Sequence, residues 1–184
     1  LFSGFDPNED GKKLEDAKRK LKSIGVKVTD DKDNFNVLIL GRYIRSVKFL
    51  LAVSRGISIV SLDWVLDCAA DGKALPPDDY LVDDETTKSN FDFPLSKTLE
   101  KVRRSEKDLL KDYTVWMPNN IKPSYDDLKT LIESMKGSVV KTKPGKFKEN
   151  TLILLNEGDE KQADHFIDLG FKVHLVSNGE AIEL

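Results

Sequence analysis

Arg45, Ser46 and Lys48 fall within four residues, at the front of an apolar run that ends at Ser54. Val47, Phe49, Leu50, Leu51 and Val53 give Arg45 to Ser54 the pattern of a helix with a broad buried face, and Gly56 stops it. The three polar residues then sit in its first turn. There, backbone N–H groups lack partners and the helix dipole is positive, which suits the turn to holding an anion. Other chemistries find no support. The chain has no Walker loop, no GxGxxG after a strand and no nucleophile elbow. His165 and His174 have no Cys or His at metal spacing and read as structural or surface residues. No catalytic residue, metal site or cofactor is expected, and the reading is of a protein that is not an enzyme.

The elements that must position the trio follow from periodicity. Leu1 to Phe5 is a short strand and Leu14, Ala17, Leu21 and Ile24 mark an amphipathic helix closed by Gly25. Val26 to Thr29 reads as a second strand, Asn36 to Leu40 as a buried one, and Ile57 to Val60 as another. Ser61 caps a helix with Trp64, Val65 and Cys68 inward. Strands alternating with helices predict a mostly parallel sheet covered on both faces. Asp71 to Lys111 breaks the rhythm: Ala74 to Tyr80 is expected to be extended, and Leu95 to Leu110 to be one charged helix. From Tyr113 the order returns, with strands at Tyr113 to Met117, Ser138 to Val140, Thr151 to Leu155 and Phe171 to Val176. Helices are expected at Asp127 to Met135 and Gln162 to Leu169, with another starting at Ser177. This is an internal duplication of about ninety residues per unit.

Bulk properties set limits. The 184 residues carry a net charge of −3, which argues against clinging to nucleic-acid backbone over a wide surface. The basic run Lys141 to Lys148, KTKPGKFK, reads as a solvated loop that could touch DNA or an acidic partner. The single cysteine, Cys68, excludes an internal disulfide and suits a reducing compartment; it reads as buried and inert. No apolar run reaches membrane-spanning length and no signal peptide opens the chain. The chain reads as an excised fragment.

A β-α-β-β-α-β-α unit with Gly25 after its first helix and Trp64 in its last resembles a BRCT repeat. The series RSVKFLLAVSRGISIVSLDW, LPPDDYLVDD and NFDF resembles the repeats of DNA-damage checkpoint mediators and of fungal genome-integrity scaffolds with multiple BRCT repeats. The resemblance implies an α/β fold of two tandem BRCT repeats, each a small four-stranded parallel sheet flanked by helices, joined by a helical linker. The first repeat would span residues 1–72, the linker 73–111 and the second repeat 112–184.

The resemblance further implies a non-catalytic module that binds phosphoserine in its first repeat. Ser3 would give a hydroxyl and Gly4 a backbone N–H to the phosphate, Lys48 its charge and Ser46 a supporting hydroxyl. Arg45 would meet the peptide three residues past the phosphoserine, by its backbone or its terminal carboxylate. A dianionic phosphate suits such donors, and an arginine fork suits a carboxylate as lysine cannot. In the second repeat Met117-Pro118-Asn119-Asn120 replaces the Ser-Gly, so no second phosphate site is expected. Pro118, Asn119 and Asn120 would instead line the peptide groove. Asn178-Gly179 and Glu180 depart from the family's late-helix tryptophan and predict a displaced or incomplete final helix.

Taken singly, Ser3 and Gly4 read as a strand end and a turn, Lys48 as a solvated lysine and Arg45 as the partner of an acid; taken together they favour the phosphate site. The implied partner is a phosphoserine-containing protein in the nucleus, foremost the phosphorylated C-terminal tail of an H-two-A type histone, with other repair proteins as further partners. Direct nucleic-acid binding and membrane association are not expected. The competing functions are a phosphate-independent protein scaffold using the groove between repeats, and binding of DNA 5′-phosphate ends.

Overall fold

The computed structural model describes residues 1–104, 109–122 and 124–176, without the side chains of residues 90 and 91. Contacts divide the chain into two units, Leu1–Ser105 and Glu106–Leu184.

In the first unit β1 (Phe2–Ser3), β2 (Val37–Leu40) and β3 (Ser58–Val60) form a parallel sheet in the order β1-β2-β3. Side chains alternate across it, as strand geometry demands. Leu38, Leu40 and Ile59 enter one cluster with Phe49 and Ala52 of α2 (Val47–Ser54) and with Leu95 and Leu99 of α5 (Leu95–Arg104). Ile39 and Val60 enter the other with Ala17 and Leu21 of α1 (Gly11–Ser23) and with Trp64, Val65 and Cys68 of α3 (Leu62–Asp71). A sheet buried on both faces explains why Asn36 to Leu40 reads as one apolar run.

Several expectations are corrected here. Val26 to Thr29 is not a strand, so the first sheet has three strands among the described residues. The Val26 N–H is taken by the Leu21 carbonyl at 3.0 Å, finishing α1, with Gly25 at φ 81°. Val26 and Val28 still pack against the Trp64 cluster, so their apolar pattern reflects burial without a ladder. The helix expected to hold an anion begins at Val47, with Ser46 as its cap and Arg45 outside it. Ser46 is extended at φ −82°, ψ 160° and accepts the Phe49 N–H, which ends the helix there. Pro77–Tyr80 is a 3-10 turn where extended chain was expected. A further helix, α4 (Asp84–Phe91), escaped the periodicity reading because its inner face carries little apolar pattern; Asp83 caps it. In the segment expected to link two repeats, α4 and α5 lie within the first unit. The predicted helix over Leu95 to Leu110 is observed as Leu95–Arg104; residues 105–108 lie outside the described residues.

The second unit has four parallel strands in the order β5-β4-β6-β7: β4 (Thr114–Trp116), β5 (Ser138–Val140), β6 (Thr151–Asn156) and β7 (Lys172–Val176). α6 (Tyr125–Ser134) covers one face, burying Leu128 and Ile132 against Val115, Leu152 and Leu154. α7 (Glu160–Asp168) covers the other, burying Ala163 and Phe166 against Trp116, Ile153 and Leu155. The predicted elements at Ser177, Asn178-Gly179 and Glu180 lie outside the described residues. Two α/β units with parallel sheets between helices agree with the predicted fold class.

Candidate functional site

The candidate site lies at the C-terminal ends of β1 and β2, where open parallel sheets present their loops to ligands. β1 ends at Ser3, paired with Leu40. The chain then turns at Gly4 with φ 74°. A Cβ there would stand 2.4 Å from the Arg42 carbonyl oxygen and 2.7 Å from its nitrogen, so only glycine fits this approach. Gly41 meets it from the opposite side: its Cβ would be 2.8 Å from the Gly4 oxygen, and its N–H donates to the Ser3 carbonyl at 2.9 Å. The Gly4 N–H itself has no hydrogen-bond partner among the described residues.

Ser3 and Ser46, 43 residues apart, place their hydroxyl oxygens 2.8 Å from each other. Ser46 Oγ also accepts the Phe49 N–H at 3.2 Å. A pair of hydroxyls holds two protons, and one is used between them. Whichever serine donates, one proton remains for an outside acceptor. Lys48, in the first turn of α2, donates from Nζ to the Phe2 carbonyl at 3.3 Å, which sets the ammonium one residue from Ser3 along β1. The structure thus gathers Ser3, Gly4, Ser46 and Lys48 at one strand end and one helix start.

Arg45 precedes the cap. Its Nε is buried without a hydrogen-bond partner among the described residues, an expensive state for a guanidinium nitrogen. Neither Lys48 nor Arg45 is paired with a carboxylate among the described residues. Arg42 contrasts with both: its Nη2 lies 2.5 Å from Glu9 Oε2 and 3.5 Å from Asp10 Oδ2. Lys48 and Arg45 therefore leave the local cationic charge open to an incoming anion.

Pro118, Asn119 and Asn120 lie in the second unit, in the loop after β4. Asn119 and Asn120 are exposed. The Pro118 carbonyl accepts the Ile121 N–H at 3.1 Å, and the Asn120 carbonyl accepts from Asn156 Nδ2 at 3.4 Å.

Sequence reasoning missed Gly41 and Arg42. The signal was present as Gly-Arg directly after the apolar strand, but the approach of Gly41 to Gly4 joins segments far apart in the chain. Trp64 and Cys68 take the core places expected of them, at 3% and 0% exposure. Among the described residues no group of histidine, cysteine and acidic side chains could hold a metal.

Comparison with known proteins adds to this geometry. Residues 1–82 match the family model described as the Regulator of Ty1 transposition protein 107 BRCT domain. Mediator of DNA damage checkpoint protein 1 of Rattus norvegicus is 32% identical over 138 residues, 75% of this chain and 11% of that protein. BRCT-containing protein 1 of Schizosaccharomyces pombe is 27% identical over 118 residues, 63% of this chain and 13% of that protein. The chain therefore spans about a tenth of the length of these curated relatives. Among solved structures, the fifth and sixth BRCT domains of S. pombe Brc1 superpose with a TM-score of 0.61 at 21% identity, over 95% of this chain and 73% of that one. The complex of Rtt107p with a phosphorylated histone superposes with a TM-score of 0.52 at 14% identity, over 85% and 74% respectively.

Proposed function

Because residues 1–82 form a BRCT domain and the chain has the fold of a tandem BRCT pair, we propose that this protein is a phosphoserine-binding module of a DNA-damage-response scaffold. The observation that carries the reading is the meeting of the Ser3 and Ser46 hydroxyls at 2.8 Å, with the Lys48 ammonium bonded to the carbonyl of the neighbouring Phe2 at 3.3 Å. A phosphoserine dianion placed there accepts from the spare hydroxyl proton, the Gly4 N–H, the Val47 and Lys48 amides at the start of α2, and the Lys48 ammonium. Charge-assisted bonds of this kind are about twice as strong as neutral ones. The module performs no covalent chemistry on its ligand and works in the nucleus.

The ligand best matched to the site is a phosphorylated C-terminal tail of an H-two-A type histone. A fold neighbour whose structure is a complex with a phosphorylated histone supports this choice, and an Arg45 guanidinium without a carboxylate among the described residues suits a ligand with one to offer. Pro118, Asn119 and Asn120 are carried as further peptide contacts on the family resemblance.

Calorimetric titration of the tail peptide in phosphorylated, unphosphorylated and C-terminally amidated forms tests the proposal. Binding should require the phosphate and weaken on amidation. Equal affinity for the first two peptides would refute it and leave a phosphate-independent scaffold. Alanine at Pro118, Asn119 and Asn120 together should weaken the phosphopeptide and leave free phosphoserine unaffected.

A further inference from the structure

The loop between β5 and β6 carries Lys141, Lys143, Lys146 and Lys148 within eight residues, with Phe147 between the last two. All five side chains are exposed, Phe147 by 56%. None of the four lysines is paired with a carboxylate among the described residues. On a chain of net charge −3, four unneutralised ammonium groups on one loop form a local field of opposite sign.

The loop is also braced from below. The Lys141 carbonyl accepts the Trp116 indole N–H at 3.3 Å. Lys143 Nζ stands 5.1 Å from the centre of the Phe166 ring and 5.9 Å from that of Trp116, within cation–π range. Phe147 meets Phe171 edge to face at 5.6 Å. That contact holds the Phe147 ring in place while more than half of it stays in water. A ring flanked by unpaired lysines is what stacking on a base and holding the adjoining phosphates requires.

We propose that this loop is a docking site for single-stranded nucleic acid, with Phe147 stacking a base and Lys141, Lys146 and Lys148 holding phosphates. The loop belongs to the second unit and the proposed phosphoserine site to the first, so on that reading a phosphopeptide-bound module would also be held by exposed single strand. Being one loop, it binds weakly and with strong dependence on salt.

Fluorescence anisotropy of a labelled twelve-nucleotide oligothymidine, titrated with the whole 184-residue chain at low salt, tests it. With three phosphates held, log K should fall against log salt with a slope of about −2. Lys146→Glu with Lys148→Glu should weaken binding about tenfold or more, and its exposed positions should leave the circular dichroism spectrum unchanged. Phe147→Ala should lose affinity and Phe147→Trp retain it, which separates stacking from charge. Affinity unchanged in the double lysine variant or in Phe147→Ala would overturn the proposal. So would duplex of equal length bound as tightly as single strand, an acidic peptide bound as tightly as either, or a requirement for a 5′-phosphate. The double lysine variant should still bind phosphoserine, so failure here is distinguishable from failure of the phosphoserine site.

Discussion

In the proposed phosphate site Lys48 would supply the positive charge beside the neutral donors Ser3, Gly4 and Ser46. Replacing it by methionine keeps the aliphatic stem and the helix but removes the charge-assisted bonds, worth about 1.5–3 kcal/mol. Titration of Lys48→Met with phosphopeptide should show at least tenfold weaker binding, and its thermal midpoint should stay near that of the parent protein. Gly4→Ala acts through the backbone. Its Cβ would stand 2.4 Å from the Arg42 oxygen at a φ of 74°, a strain of about 1–3 kcal/mol. Denaturant unfolding should register that loss, and the displaced amide should cost binding as well. The place of Lys48 in a first turn was legible because a first turn is local, whereas Ser46 was read into that turn and is its cap. The Ser3–Ser46 contact and the orphaned Arg45 Nε were not derivable from spacing, since each depends on where distant segments pack.

Arg103 does for α5 what Lys48 is proposed to do for a ligand. Its Nε donates to the Gly56 carbonyl at 2.7 Å, its two terminal nitrogens grip Asp78 at 2.9 and 3.0 Å, and Nη2 also reaches Ser58 Oγ at 2.8 Å. This ties α5 to the start of β3 and to the 3-10 turn. Arg103→Ala should cost about 1–2 kcal/mol, the low figure reflecting solvent around a half-exposed pair, and lysine should not restore it, because it lacks the fork. The Arg103 hydrogen bonds, and then that from Ser58, hold the Asp78 carboxyl below its ordinary value. A depressed folded value means the stabilisation is present above the unfolded value, about pH 4, and fades as pH falls through the folded one. Unfolding measured from neutral to acid pH should therefore lose stability below about pH 4, and Arg103→Ala should lose less over that range. At this scale the sequence announced helices with strong apolar periodicity and missed α4, whose signal was a cap at Asp83 more than a stripe. It also read a strand at Val26 to Thr29, since burial against Trp64 imitates the strand pattern without any ladder.

The whole molecule has two units with separate cores, one around Phe49 and Trp64, the other around Ile132 and Phe166. Phe166 is wholly buried, and Phe166→Ala should cost the second unit about 3–5 kcal/mol. Calorimetry should show that unit melting earlier, while free phosphoserine still binds through Lys48 in the first unit. The α/β class and the duplication were legible because apolar runs and glycine stops repeat in the same order in both halves, and the family through the resemblance carried by the series from Arg45 to Trp64 and the LPPDDYLVDD and NFDF stretches.

The sequence by itself determined which segments become strands and helices wherever the apolar pattern was strong, because burial on both faces of a parallel sheet leaves no alternative for runs such as Val37–Leu40. It also singled out residue types whose chemistry suits an anion. Only the tertiary structure decided that Ser3 meets Ser46, that Gly4 and Gly41 pass at backbone contact, and that Arg42 is spent on acids while Arg45 and Lys48 have none among the described residues. Those outcomes depend on parallel pairing of β1 with β2, which brings residues about forty positions apart to one strand end, and no local pattern in the chain encodes such a meeting.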